Sequence, residues 1–477
     1  MSQKQEHPTE KKLGPQFQSL MIDAAPQYAN RIFYSLGFLA ATSFVLLVVS
    51  GVVEVFFGPS WWLTVPAGVF FRSIHMWSTQ AFVIFILLHL IVVFCTMGYR
   101  GPRRITWVLG VLMFVVALIE TELGYGLRGD FSTQWRVLQG ADFFNGSGLG
   151  WWVNPLNELK VLGVHVAVVP LIIFALLGLH YTLVRFLGLA TPPKADHPYK
   201  IEKADHRVLF LRGGVVVAAV VLLAIALPSP YLHPTTLKEV AKSDPQLFAK
   251  TLVGEFGRLD QIGKGDDAQD LTSGYSDNIQ PYTFDTRTVY VDAPYAGIAA
   301  TSSSANPLAA VEALPADRQK KLVDAAIDFF GADTGKVDPA ADPLIGVARS
   351  LTAMASTGAY EAQLKGYGQP GDDTYYLRFL ADLGVLDDRA GKLRMQTDQW
   401  GMLHEEKPGL PGAWWLSPIG VLNQTVLSND DNGDRDGAYI LGILALILLA
   451  VPFIPGVNRL PLLLGLYKPF QRKPKEP

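Results

Sequence analysis

The chain has 477 residues, of which 49% are hydrophobic and only 17% charged, with a formal net charge of −3. Soluble proteins carry about 25% charged residues, so a wholly soluble globule is a poor fit, and the apolar and aromatic content excludes disorder. A single cysteine excludes an internal disulfide, a covalent Cys-x-x-Cys-His haem site and any cysteine-built zinc or iron–sulfur centre within this chain.

Residues 1–30 read as a polar, charged segment unlike a cleavable signal peptide. Six stretches then approach or exceed the roughly 20 apolar residues that a spanning helix needs. They run from about Phe33 to Val55, Phe71 to Thr96, Ile105 to Leu123, Leu162 to Leu187, Leu209 to Leu227 and Ala438 to Pro455. Buried helices of a large soluble protein are the alternative, but these runs are too long and too poor in charge. The expected organisation is a four-helix domain over 31–190, a loop and fifth span over 191–230, a polar domain over 231–437, and a sixth span with a basic tail over 438–477.

The polar domain holds 30 acidic residues against 18 basic, a balance of −12, while the rest of the chain holds 22 basic and 13 acidic, +9. The basic residues cluster in Lys4–Lys12, Arg100–Arg104, Lys194–Arg212 and Lys468–Lys475. With six spans all four clusters fall on one side, and cytoplasmic loops carry the excess Lys and Arg. Both termini are therefore expected in the cytoplasm and the acidic domain outside, across a bacterial or archaeal inner membrane. Within that domain Thr286–Val291 alternates as a strand would, whereas Arg318–Phe330 and Tyr376–Leu383 show helical spacing. A mixed, mostly helical domain is expected.

Four of the nine histidines lie in spans: His75 and His89 in the second, His165 and His180 in the fourth. A membrane-buried imidazole is costly without a partner and marks function. The first pair is 14 residues apart, roughly 21 Å of rise and about 40° short of whole turns; the second is 15 apart, roughly 22 Å and about 60° past. Each helix thus offers two imidazoles near one face, and the two helices run in the same direction. Side by side they present two level pairs, His75 with His165 and His89 with His180. Iron with two axial imidazoles suits electron transfer, since neither axial position is left for substrate. The economical reading is two b-type haems stacked across the bilayer. Helix-to-helix hydrogen bonds or proton relay are the alternatives; one metal shared along a helix is not, because the ligands stand roughly 20 Å apart.

Gly37 and Gly51 in the first span are 14 apart, as are Gly110 and Gly124 in the third. Such pairs often serve close helix packing, yet both match the histidine step, so a glycine is expected at each haem level.

At this point the chain resembles the cytochrome b of quinol:cytochrome c oxidoreductases, particularly the short, split form of the plastoquinol:plastocyanin complex. The resemblance covers about residues 30–190. It rests on the paired glycines, Arg72-Ser73-Ile74-His75, the His-x13-His step, the loop Tyr99-Arg100-Gly101-Pro102-Arg103-Arg104 with Trp107, and the 15-residue step followed by Arg185 and Gly188. It implies an all-α membrane protein: a four-helix di-haem bundle plus two further spans, with the polar domain inserted between them. It implies that His75 and His165 hold the outer haem iron and His89 and His180 the inner one, with quinone and quinol as substrates. Arg72, Arg100, Arg103 and Arg104 are candidate partners for haem propionates, although the loop arginines also fit simple positive-inside signalling. The implied partners are a Rieske iron–sulfur protein, a c-type cytochrome and membrane lipid, in a dimeric complex.

The departures are specific. The region after the third span reads Leu127-Arg128-Gly129-Asp130-Phe131 rather than the family's Pro-Trp-Asp/Gly-Gln stretch, and no Pro-Glu-Trp-Tyr motif occurs. In split members a separate subunit carries that motif. Glu122 and Asp130 are candidate quinol-proton acceptors if partial burial raises their pKa; with Arg128 they also suit snorkelling interfacial residues. Asn432-x-Asp434-x-Asp436-Gly437 matches only the front of a calcium loop. His404, Glu405, Glu406 and Met395 are isolated candidates for a partner or metal, and Trp414-Trp415 suits an interfacial belt or docking surface. The acidic balance would steer a cationic partner such as a c-type cytochrome. The expected function is electron transfer from quinol across the membrane, coupled to proton translocation. The alternatives are a di-haem anchor serving an extracytoplasmic oxidoreductase without bifurcation, and a haem-free proton-coupled transporter.

Overall fold

The computed structural model describes residues 21–22, 24–26, 31–190, 201–257, 285–299, 306–331, 342–365, 367, 369–396, 399–403, 410–430 and 433–471. It separates into two compact units: Met1–Glu122 with His165–Pro230 and Gly442–Pro477, and Leu123–Val164 with Tyr231–Leu441.

Unit one is built on helices α1 (Leu36–Phe57), α2 (Pro66–Cys95), α3 (Arg104–Tyr125), α4 (Val169–Leu187) and α5 (His206–Ala226), joined by the later part of α6 (Gly433–Ala450). Five continuous helical stretches among the described residues are long and apolar enough to cross a membrane: Ile32–Phe57, Pro66–Cys95, Gly101–Tyr125, Glu158–Leu187 and His206–Ala226. They match the first five expected spans. The sixth differs. Its 18 residues include Asp434, Arg435 and Asp436, and it stops at Ala450 rather than Pro455 because Pro452 cannot continue the hydrogen-bond ladder. Its apolar part still packs in unit one: Trp107 Nε1 donates to the Leu448 carbonyl at 2.8 Å, and Val451 lies in one buried cluster with Tyr99, Trp107 and Val111.

Contacts between distant segments gather at one end of this unit. Strand β1 (Ala24–Pro26) pairs antiparallel with β2 (Ile201–Lys203). Arg31 donates to the Phe470 carbonyl at 3.1 Å, and Phe33 meets the Phe470 ring edge-on at 5.1 Å. Tyr99 donates to the Asn458 carbonyl. The start of the first span, the loop after the second, the entry to the fifth and the C-terminal segment thus share an end, which requires an even number of crossings between them. At the opposite end, Ser73 accepts from the Ser229 amide at 2.9 Å and Trp77 donates to the Leu227 carbonyl, so the chain leaves α5 beside the start of α2.

Unit two is helical, and its core gathers Phe248, Phe256, Tyr290, Leu351, Tyr360 and Phe379. The segment expected as a strand is a π-helical turn, Arg287–Asp292, with Val289, Tyr290 and Val291 all buried. Full burial on every side removes the one-face exposure that alternation presupposes. The expected helices are present as Ala316–Phe330 and Thr374–Asp382. The unit also takes in Leu123–Val164, which the sequence boundaries leave within 31–190. The helix Phe131–Gly146 buries Phe131, Trp135, Leu138 and Ala141 in this core, a helical face in spacing. Gln134 pairs both ways with the backbone of Thr235 at 2.8 Å, and Trp135 donates to the Met395 carbonyl.

Candidate functional site: paired imidazoles in the helical bundle

His75 and His89 lie on α2 and His180 on α4, while His165 sits in a π-helical turn, Val164–Val168, immediately before α4. Pro170 follows that turn and has no N–H for the ordinary bond to the Val166 carbonyl. A π turn spreads more residues over a revolution than an α turn. It therefore absorbs the extra residue of the 15-residue step and reduces the rotational excess that a straight helix would give.

The His75 and His165 ring centres are 6.3 Å apart. A metal–nitrogen bond of about 2.0–2.1 Å sets a ligating imidazole's centre roughly 3.2 Å from the ion, so two on opposite sides stand about twice that apart. The observed separation suits one metal between the rings. His89 and His180 both line a cavity of about 230 Å³, with Gly37, Phe44, Phe82, Arg103, Gly110 and Phe114 among its walls.

Two of the Nδ1 atoms meet hydrogen-bond acceptors, and that of His165 lies in close contact with a carboxyl outside hydrogen-bond geometry. Ser50 Oγ donates its proton to the Leu46 carbonyl at 2.7 Å and stands 2.9 Å from His75 Nδ1. Having one proton, the hydroxyl must accept from Nδ1–H. His180 Nδ1 stands 3.1 Å from the Thr106 carbonyl, which can only accept. Glu120 Oε1 lies 3.1 Å from His165 Nδ1. For His75 and His180, Nε2 is the nitrogen left for a ligand, the arrangement that outer-shell acceptors impose on metal-binding histidines. The residues present fit iron porphyrin.

The glycines lie at the imidazole levels. A Cβ on Gly51 would be 3.1 Å from His75 Cε1, one on Gly37 3.4 Å from His89 Cε1, and one on Gly110 3.4 Å from His180 Cε1. On antiparallel α1 and α2 the matching steps of 14 put both contacts in one register. Gly124 lies on α3 near its end.

The candidate arginines divide. Arg103 lines the cavity and donates to the Leu187, Gly188 and Leu189 carbonyls, the first at 2.7 Å. It thereby caps the C-terminus of α4, where a cation is favoured. Arg72 is buried and donates to the Pro230 carbonyl at 2.9 Å. Arg100 donates to the Met97 carbonyl, and Arg104 lies over the Phe453 ring. Asp130 is buried in unit two, 3.0 Å from Arg128, and accepts from the Thr133 amide at 3.0 Å, so it works as a helix cap and ion-pair partner. Glu122 is half-buried on α3. Met395 is a core residue, Trp415 is buried beside Tyr125, and Cys95 ends α2. His404, Glu405, Glu406 and Asn432 lie outside the described residues.

Sequence reasoning missed Ser50, Glu54 and Glu120. Glu120 is two positions from the chosen Glu122, about 200° around the helix, and only that rotation brings it to His165. Glu54 is a carboxylate within a span, and that default signal of function could have found both.

The chain matches the family model described as cytochrome b (N-terminal)/b6/petB over residues 80–239. It is 31% identical over 193 residues to the cytochrome b6 of Heterocapsa triquetra, covering 35% of this chain and 88% of that one. It is 30% identical over 189 residues to the cytochrome b6 of Chlamydomonas reinhardtii, covering 35% and 87%. A chain of a solved "Hyperthermophilic respiratory Complex III" aligns at 16% identity and TM-score 0.36, covering 74% of this chain and 93% of that one. Spanning helices, paired imidazoles and the two cytochrome b6 relatives converge: the chain is a multi-pass membrane protein of the bc-type cytochrome b family, whose members bind haem and transfer electrons.

Proposed function

We propose that this chain carries electrons through two b-type haems between an outer and an inner quinone site of a bc-type quinol oxidoreductase, coupled to proton translocation. His75 and His165 would hold the outer iron, and His89 and His180 the inner one. The observation that carries this is the matched pairing: rings 6.3 Å apart at one level, a histidine-lined cavity at the other, and Nδ1 acceptors that leave Nε2 open. Bound iron porphyrin would supply one-electron carriage.

The chain's own residues fix the rings. Ser50 and the Thr106 carbonyl set tautomer and orientation, Gly37, Gly51 and Gly110 give the imidazoles room, and Arg103 and Arg72 place guanidinium groups near the two levels for carboxylate pairing. The chain leaves α5 at Pro230, the end of His75, while the described basic residues of Arg100–Arg104, 201–212 and Lys468 lie toward the other end. This supports an outside insert and cytoplasmic termini. A Rieske protein, a c-type cytochrome and a subunit bearing the missing outer-site motif are the proposed partners.

Haem stoichiometry on the purified protein tests the reading, with His75→Ala and His89→Ala variants. Two b haems per chain are expected, each substitution removing mainly one. Retention of both haems in both variants would overturn the ligand assignment.

A further inference from the structure

The three imidazoles with identified Nδ1 neighbours differ in what faces them. His75 meets a neutral hydroxyl and His180 a neutral backbone carbonyl. His165 meets the Glu120 carboxyl, Oε1 at 3.1 Å, with both side chains largely withdrawn from solvent. The 3.1 Å approach lies outside hydrogen-bond geometry, and His165 Nδ1, Glu120 Oε2 and Glu54 Oε1 are all buried with no hydrogen-bond partner among the described residues. Glu54 has Arg72 and His165 as its electrostatic neighbours. One level of the bundle therefore holds two membrane-buried carboxyl groups around one ligand ring. At the other level, His89 and His180 line a cavity walled by glycines, aromatics and aliphatics, with Arg103 at its edge.

A carboxylate behind a ligating imidazole makes the ring a stronger donor. Ferric iron carries one more positive charge than ferrous iron, so a stronger donor and a nearby negative charge both favour the oxidised state. Charges act further in a low-dielectric interior than in water, and outer-shell partners are among the protein's means of setting haem potential. Glu120 touches the ring and Glu54 does not, while the Arg72 guanidinium offsets Glu54. The two carboxyl groups should therefore act unequally.

We propose that Glu120 is a positioning residue that acts through His165 to lower the reduction potential of the haem at the His75–His165 level. This rests on the reading of His165 as an iron ligand.

The test is a redox titration of the purified full-length protein, following the b-type absorbance bands. Wild type is compared with Glu120→Gln, Glu120→Asp and Glu54→Gln, with haem counted in each. Expected for Glu120→Gln are two haems, an upward shift of the midpoint belonging to the haem that His75→Ala removes, and no shift of the other. Each tenfold loss of ferric preference reads as about 59 mV for one electron. The low-spin ferric resonance of that same haem moves with it. Glu120→Asp restores part of the shift, and Glu54→Gln moves the same midpoint upward by less. Two retained haems with both midpoints unmoved in Glu120→Gln would overturn the proposal. If Glu120→Gln loses the haem, Glu54→Gln decides: an upward shift confined to that haem supports the carboxylate field, and no shift overturns it. Failure of the underlying reading looks different, with no haem in wild type or both haems kept in His165→Ala.

Discussion

A methyl group at Gly51 should disturb one haem level and leave the other nearly untouched. An added Cβ would meet His75 Cε1 at 3.1 Å and Nδ1 at 3.6 Å, tighter than ordinary van der Waals separation. The ring has little freedom to retreat, because Ser50, the adjacent residue, holds His75 Nδ1 at 2.9 Å. Moving it weakens a hydrogen bond worth about 0.5–1.5 kcal/mol; leaving it in place incurs overpacking of about 1–3 kcal/mol. Either route costs on the order of 1–3 kcal/mol in the ligand-competent geometry, and each 1.4 kcal/mol is tenfold in affinity. Gly51→Ala should thus weaken haem retention at this level by roughly 5- to 100-fold, and Gly51→Val, with two more carbons, should weaken it further. Gly37→Ala is the internal control, since its Cβ meets His89 Cε1 at an ordinary 3.4 Å. Haem content per chain during graded detergent washing, resolved by reduced-minus-oxidised spectra, reads both levels. Gly51→Val retaining a full complement with unchanged spectra, or Gly37→Ala losing more haem than Gly51→Ala, would refute the steric reasoning.

Arg103→Ala removes the donor to three carbonyls at the end of α4. Hydrogen bonds to a charged group contribute about 1.5–3 kcal/mol, so a lower midpoint of thermal unfolding in detergent is expected, together with easier loss of the haem at the His89 level. Arg103→Lys should recover only part, because an ammonium cannot reproduce the fork. In unit two, burial raises the Asp373 carboxyl to about 6 from 3.8. Its folded pKa lies above its unfolded one, so the folded state binds more protons between these values and stability falls as pH rises from about 4 to about 6. Asp373→Asn should remove that slope, on the order of 1–3 kcal/mol, in urea unfolding followed by unit-two tryptophan fluorescence. An unchanged slope would contradict it.

Much of the bundle was legible from residue order because the bilayer imposes its own ruler. Hydrocarbon thickness sets span length, and the helix repeat converts a 14-residue step into two depths on one face. The first five spans, the histidine spacing and the placing of Gly37, Gly51 and Gly110 beside imidazoles needed no tertiary information beyond those two facts. The acidic character of the insert was likewise a matter of counting.

Three-dimensional packing settled what depends on rotation and on contacts between distant segments. Glu120 rather than Glu122 reaches His165, a difference of about 200° that no hydropathy profile registers. The π turn at Val164–Val168, just before Pro170, reconciles the 15-residue step with a shared face. Arg103 spends its donors on the end of α4 because a neighbouring helix ends there. The segment Leu123–Val164 joins the core of the second unit because the apolar face of Phe131–Gly146 finds Leu237, Met395 and their neighbours to bury against. Contacts of Arg31 and Phe33 with Phe470 bring the start of the first span and the segment after α6 together. Periodicity along one helix is a local property of the backbone and can be read in order; the acceptor an imidazole meets belongs to another helix, and only packing brings the two within 3 Å or so.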